Sequence, residues 1–227
     1  MALLGKQLQQ LERKYGRFAV RNLMKYVIGA NVIVYFLSLA DRSGGLPAAL
    51  VLHPQLVLRG QIWRLVTFVA IPPVTGVLWL FFALYFSYLV GTNLEHTWGA
   101  FKFNVYYLLG MLLTILAAFL TGSPVGASYL NLSLFFAFAH LYPDFELLVY
   151  LVLPVKVKYL ALLSAAPLLF TLLTAPLAGK IIALVPVFSY VLFFGGDLWQ
   201  KTRQRNQVRE NRRRFFTEIE KARKNKD

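Results

Sequence analysis

The chain contains no cysteine. A disulfide framework and a thiolate metal site are therefore excluded, and the redox character of the compartment is left open. Acidic residues are scarce: ten Asp and Glu stand against twenty-four Lys and Arg, with three histidines in 227 residues. These few carboxylates and imidazoles form no cluster with metal-ligand spacing, and there is no glycine-rich phosphate loop or nucleotide motif. No cofactor is implied. No cleavable signal peptide is evident either, because a long polar stretch precedes the first apolar run and no small-residue cleavage site follows it.

Apolar residues, by contrast, are abundant. They make up 58% of the chain, against roughly 45–50% in a typical soluble domain. A membrane-spanning helix needs about 20 apolar residues, with a range of roughly 17–25. Six segments meet or approach that length: Met24–Ala40, Pro73–Thr92, Phe103–Thr121, Ala127–Tyr142, Val157–Leu173 and Leu177–Gly196. The fourth is short and carries Asn131, Ser133 and His140, so it requires protein neighbours for its polar groups. Pro143-Asp144 and Pro154 bracket Phe145–Leu153, which is too short to span and is expected at the membrane interface. Gly195-Gly196-Asp197 is expected to end the last span. The chain thus reads as an all-α polytopic membrane protein: residues 1–23 form a basic amphipathic segment, 24–196 the six-span domain and 197–227 a basic tail.

Charge orients the spans. Residues 1–25 hold six Lys and Arg, and residues 197–227 hold eleven. With both ends assigned to the cytoplasm, the inner segments also gain Lys102, Lys156 and Lys158, while the outer ones keep only Arg42, Arg59, Arg64 and Lys180. That asymmetry follows the positive-inside rule and suits a bacterial inner membrane or the endoplasmic reticulum alike. The net charge of +14 is then a property of cytoplasmic flanks that attract anionic lipid, at about 1 kcal/mol per basic residue near the surface. No nucleic-acid partner is implied. In the N-terminal tail Leu4, Leu8, Leu11, Tyr15 and Phe18 recur at helical spacing. Val208, Phe215, Phe216 and Ile219 make a weaker stripe in the C-terminal tail. Basic helices with one apolar face lie in the membrane interface or bind a partner. Asn31, Asn104 and Asn131 are positioned to hydrogen-bond between spans, at roughly 0.6–2 kcal/mol each.

Two motifs stand out. Gly60-Gln61-Ile62-Trp63-Arg64-Leu65-Val66-Thr67 occupies the long outer loop, about residues 41–72, and Gly91-x-x-x-Glu95 followed by Gly99 marks the end of the second span. With Tyr142-Pro143-Asp144 and Leu153-Pro154-Val155-Lys156-Val157-Lys158, this pattern resembles the rhomboid-like superfamily over roughly residues 25–200. The superfamily comprises intramembrane rhomboid proteases, derlins and inactive rhomboids. The resemblance implies a six-helix bundle in which Trp63 and Arg64 anchor the outer loop at the headgroup level, the guanidinium on carbonyls or phosphate. Glu95 and Arg64 would tie loops to helix ends.

Rhomboid proteases use a serine in a Gly-x-Ser-x element at the start of the fourth helix and a histidine on the sixth. A His and an Asn four residues apart on the second helix stabilise the oxyanion. The base is needed because a serine hydroxyl is a weak nucleophile until its proton is taken, and one oxyanion donor is worth about 10²–10³ in rate. The resemblance places Gly126-Ala127-Ser128-Tyr129 on the serine element, with Ser128 at the nucleophile position and Tyr129 where glycine is usual. It places Trp79 and Ala83 on the His/Asn positions, where neither side chain can play the same role. Residues 177–196 contain no histidine. Of the three histidines, His140 is twelve residues from Ser128 on one helix, about 18 Å away. His96 is assigned to an inner loop and His53 to the outer one, and all three read as interfacial or hydrogen-bonded structural residues. Lys180, near the start of the sixth span, is the alternative base, since a desolvated lysine can lose its proton and activate a serine. Its plainer role is to reach the interface.

The resemblance, with these departures from the protease pattern, implies a catalytically inactive rhomboid-like protein, a pseudoprotease. It would bind membrane-protein clients through their transmembrane segments and perturb the bilayer, with Ser128 a vestigial helix-start serine that caps or packs. One alternative is an intramembrane serine endopeptidase using Ser128 and Lys180. The other is a small transporter or channel, which the lack of recurring intramembrane charges and inverted repeats disfavours.

Overall fold

The apolar runs fold as helices joined by short turns, with one long loop. The computed structural model describes residues 10–41, 45–73, 76–149 and 153–195. Five helices are long and apolar enough to cross a membrane: α1 (Leu23–Ala40), α5 (Val77–Trp98), α6 (Ala100–Thr121), α8 (Val157–Thr174) and α9 (Leu177–Gly195). Three short helices, α2 (Gly45–Leu50), α3 (Pro54–Leu58) and α4 (Arg64–Thr67), lie in the loop between α1 and α5. A shorter apolar helix, α7 (Ser128–Leu141), has 14 residues, about 21 Å at 1.5 Å per residue. Leu4, Leu8, Arg42, Gly196, Asp197 and the whole C-terminal tail, with its stripe Val208, Phe215, Phe216 and Ile219, lie outside the described residues.

The short helix is the centre of the molecule. Seven of its residues are buried, namely Leu130, Ser133, Leu134, Phe135, Ala137, Phe138 and Ala139, and it packs against α5, α6 and α8. In contrast, only Val157 and Leu168 are buried in α8. The long helices are apolar all round, the character of a membrane span, and their exposed faces carry Leu, Phe and Val side chains. Close approach between helices uses glycine, as membrane bundles commonly do. A Cβ on Gly91 of α5 would meet Met24 of α1 at 2.5 Å, and one on Gly110 of α6 would overlap the Leu130 side chain of α7.

Two features of the second span differ from the sequence reading. The helix begins at Val77 rather than Pro73 and runs on through Glu95 to Trp98. Its last two turns are polar, but they fold helically because their side chains bond back along the axis. Asn93 donates to the Leu89 carbonyl at 2.8 Å and Thr97 to that of Asn93 at 2.8 Å. Leu94 and Trp98, on the face of Val90, bury against the core. His96 therefore lies in the last turn of a helix, exposed, and not in a loop. Gly99 joins α5 to α6 with φ +82°, a backbone state that favours glycine.

The residues between α7 and α8 are not helical. Glu146–Val149 (β1) and Leu153–Lys156 (β2) pair as an antiparallel hairpin, Glu146 opposite Lys156. Pro154 cannot continue a helix but is tolerated at a sheet edge. An isolated hairpin is marginal, and this one is tied down at its base. Val157 N–H bonds the Phe145 carbonyl at 2.8 Å, and Lys158 N–H bonds that of Pro143 at 3.1 Å. Asp144 accepts from the ammonium of Lys158 at 2.8 Å and contacts that of Lys156 at 3.5 Å. The hydrogen bond from Lys158, then the two positive charges, holds the Asp144 carboxyl below the usual carboxylate range.

One end of the bundle thus carries residues 10–22, the Gly99 turn and the hairpin, and is called the tail side below. The other, the loop side, carries the long loop and the start of α7. At the tail side, Glu12 pairs with Lys102 at 3.6 Å. Asn22 N–H bonds the Glu95 carboxylate at 2.7 Å, and Asn104 donates to the Val20 carbonyl at 3.1 Å. Leu11, Tyr15 and Phe18 stay exposed. The asparagines do not join long helices to one another. Asn104 holds the N-terminal segment, Asn31 bonds the Val27 and Val69 carbonyls and so holds the loop, and Asn131 makes no side-chain bond among the described residues. A long helix already satisfies its own backbone, so free partners occur where the chain is irregular.

Candidate functional site

The loop side is organised by the Gly60–Thr67 motif. Helix α2 has six residues, too few for most of its carbonyls to find partners within the helix. The motif supplies them. Arg64 Nη1 donates to the carbonyls of Ala48 and Val51, each at 2.8 Å, Thr67 Oγ1 donates to that of Leu50 at 3.0 Å, and Trp63 Nε1 reaches that of Ala49 at 3.4 Å. Gln61 accepts from Arg64 Nε at 2.7 Å and so orients the guanidinium. Four successive carbonyls are capped by side chains from one motif, and a cation stands at the negative end of a helix. Gly60, at φ +96°, makes the turn that brings them round. Arg64 is only 5% exposed. The guanidinium therefore lies inside the loop on main-chain carbonyls rather than out at headgroup phosphate, while the Trp63 ring is half exposed.

The clamped loop then packs on the segment that leads into α7. Val125 N–H bonds the Leu52 carbonyl at 2.9 Å in an isolated antiparallel bridge. Leu52, Val57, Phe68, Val125 and Ala127 bury together with Ala117 and Ala118 of α6 and Ile182 and Val185 of α9. Ser128 follows directly as the first residue of α7. It does not cap that helix: Ala127 holds the N-cap position without a side-chain bond. Nor is it packed, because it is exposed and its hydroxyl has no hydrogen bond among the described residues. A serine one position too late cannot offer its oxygen to the first free N–H groups in the usual way.

The other positions singled out in the sequence are scattered. Lys180 is in the first turn of α9, half-buried, with no ion pair or side-chain hydrogen bond among the described residues and none to Ser128. Trp79 is in the first turn of α5 and 54% exposed, so the ring lies largely outside the bundle, and Ala83 one turn on is half-buried. His53 precedes α3, and its buried Nδ1 has no hydrogen-bond partner among the described residues. It adjoins Leu52 of the Leu52–Val125 bridge and makes no hydrogen bond to Ser128 among the described residues. Gly91 and Glu95 lie on the tail-side half of α5 and Gly99 at its end.

His140, near the tail-side end of α7, has a partner that sequence spacing does not reveal. The Tyr190 hydroxyl of α9 lies 2.7 Å from its Nδ1. Around this pair the rings of Trp98, Phe193 and Phe194 meet at tilted angles, and Tyr106 meets Phe193 edge to face. The Tyr106 hydroxyl donates to the Ser133 carbonyl at 2.9 Å, joining α6 to α7. Among the described residues, no three His, Asp or Glu converge on a point where a metal ion could be held. No family model, curated protein or solved structure matches the chain.

Proposed function

We propose that this chain is a rhomboid-like pseudoprotease with six passes and both tails cytoplasmic. On this reading it binds membrane-protein clients by their transmembrane segments and thins the bilayer beside it. The observation that carries the reading is the 14-residue α7, buried at the centre and roofed by the clamped loop. A helix of about 21 Å in a hydrocarbon layer of about 30 Å brings that roof down among the acyl chains. Leu58, Ile62, Trp63 and Val66 are exposed on the loop, between 50% and 78%, and present an apolar surface to lipid there. Where this low roof, rather than the 22-residue α5 and α6, faces lipid, the bilayer would thin locally to match it, and a client helix with polar residues would lose less there than in a bilayer of full thickness. The residues at the protease positions support a binding role over hydrolysis, since Ala83 has no donor and the ring of Trp79 is turned largely outward.

The test uses the purified full chain in lipid nanodiscs and a panel of fluorescent single-span helices, some with polar residues near their centres. Saturable binding that favours the polar-centred helices, equal in the native chain and in Ser128→Ala, is the expected result. Failure to bind any member of the panel would remove the client-binding reading.

A further inference from the structure

We propose that the crevice between α7, α8 and α9 on the tail side is a binding site for one anionic phospholipid, its acyl chain in the crevice and its phosphate on Lys158. This inference rests on the multi-pass reading with a cytoplasmic tail side, and does not depend on loss of protease activity. The cavity has a volume of about 400 Å³, within the range of small-molecule sites, roughly 300–1,000 Å³. It exists because facing positions are small: Ala139 on α7 stands opposite Ala161 and Ala165, one helical turn apart on α8. Phe136 and Val187 complete an apolar wall. With only Val157 and Leu168 buried, α8 does not close over the gap. An empty apolar gap of this size open to a bilayer is filled by the chain of a neighbouring lipid.

The polar groups line the same cavity. Lys158 lies at the start of α8, where the span meets the tail-side interface, and His140 and Tyr190 form their hydrogen-bonded pair in the wall. Two ammonium groups, Lys156 and Lys158, share the single carboxylate of Asp144 and are each about two-fifths exposed. An ammonium has three donors, and Asp144 engages one of those on Lys158, so the others are available to a phosphate. Glu146 stands opposite Lys156 in the hairpin and forms no ion pair with Lys158 among the described residues. The cytoplasmic leaflet is the one that carries anionic headgroups.

The experiment uses the full chain in vesicles containing phosphatidylglycerol with a photoreactive group in one acyl chain. Parallel samples carry the same group in phosphatidylcholine or in a free fatty acid. Labelling of peptides covering residues 136–140, 158–165 and 187–190 is expected with phosphatidylglycerol, about fivefold above phosphatidylcholine, the factor one basic residue contributes near an anionic surface. Ala165→Trp, which fills the crevice, should abolish it. Lys158→Gln and Asp144→Asn break the same ion pair, which separates lipid binding from hairpin integrity: the first should lower labelling about fivefold, the second should preserve or raise it. Equal loss in both variants, equal labelling by the neutral lipid, stronger labelling by the fatty acid, or persistence in Ala165→Trp would each overturn the assignment.

Discussion

Arg64→Ala is expected to lower the stability of the purified chain in detergent by about 3 kcal/mol, the upper range for hydrogen bonds made by a charged group. The guanidinium bonds two carbonyls, of Ala48 and Val51, and is itself oriented by Gln61. Removing it takes the donor from both part-buried acceptors, and the loss spreads, because the same loop holds Leu52 against Val125. Arg64→Lys should recover part of the loss only, since a single ammonium cannot bridge two carbonyls and also engage Gln61. Arg59→Ala in the same loop is the control. Its side chain is exposed and without a partner among the described residues, so its cost should stay within about 0.5 kcal/mol. Chemical denaturation followed by intrinsic tryptophan fluorescence measures all three.

Gly91→Leu should destabilise at the top of the range for overpacking, about 1–3 kcal/mol. A Cβ on Gly91 meets not only Met24 Cγ at 2.5 Å but also Met24 Cβ at 2.8 Å. The second atom is fixed to the α1 backbone, so no side-chain rotation relieves the clash and the two helices must part. Gly110 makes a useful contrast, because the nearest obstacle there is the end of the Leu130 side chain, which can turn aside. Replacing glycine by alanine within a helix gains about 1 kcal/mol of helix propensity. Gly110→Ala should therefore come out near neutral while Gly91→Ala remains destabilising. The same denaturation assay, with proteolysis between α1 and α5 as a second readout, separates the pair.

The spans were legible because lipid imposes a simple rule: α1, α8 and α9 need apolar surface on all sides, and their ends follow hydropathy closely. The tail-side end of α5 escaped that rule, since Asn93 and Thr97 satisfy themselves by bonding back along the helix, which hydropathy reads as a loop. The hairpin after α7 was hidden for a related reason: its residues are apolar enough for an interfacial segment, and only pairing in space distinguishes a strand. In the loop, Trp63 and Arg64 were conspicuous, but their acceptors are main-chain carbonyls of residues 48–51, and a carbonyl has no side-chain signature. Tyr190 lies fifty positions from His140, with no local pattern to join them. Ser128 was located at a helix start, yet its exposure followed from where the neighbouring elements stop, which the motif does not encode.

On the proposed reading the chain binds and does not cut. The direct measurement is a time course of the purified chain in lipid with a panel of transmembrane substrates that active rhomboid proteases cleave, read by mass spectrometry. On that reading, with no histidine on α9 and no donors at the second-helix positions, Ser128 has neither an activating base nor an oxyanion partner among the described residues. The expected result is no fragment above that from vesicles without protein, and no change in Ser128→Ala. A defined fragment that accumulates with the native chain and disappears in both Ser128→Ala and Lys180→Met would contradict it and establish a serine–lysine protease.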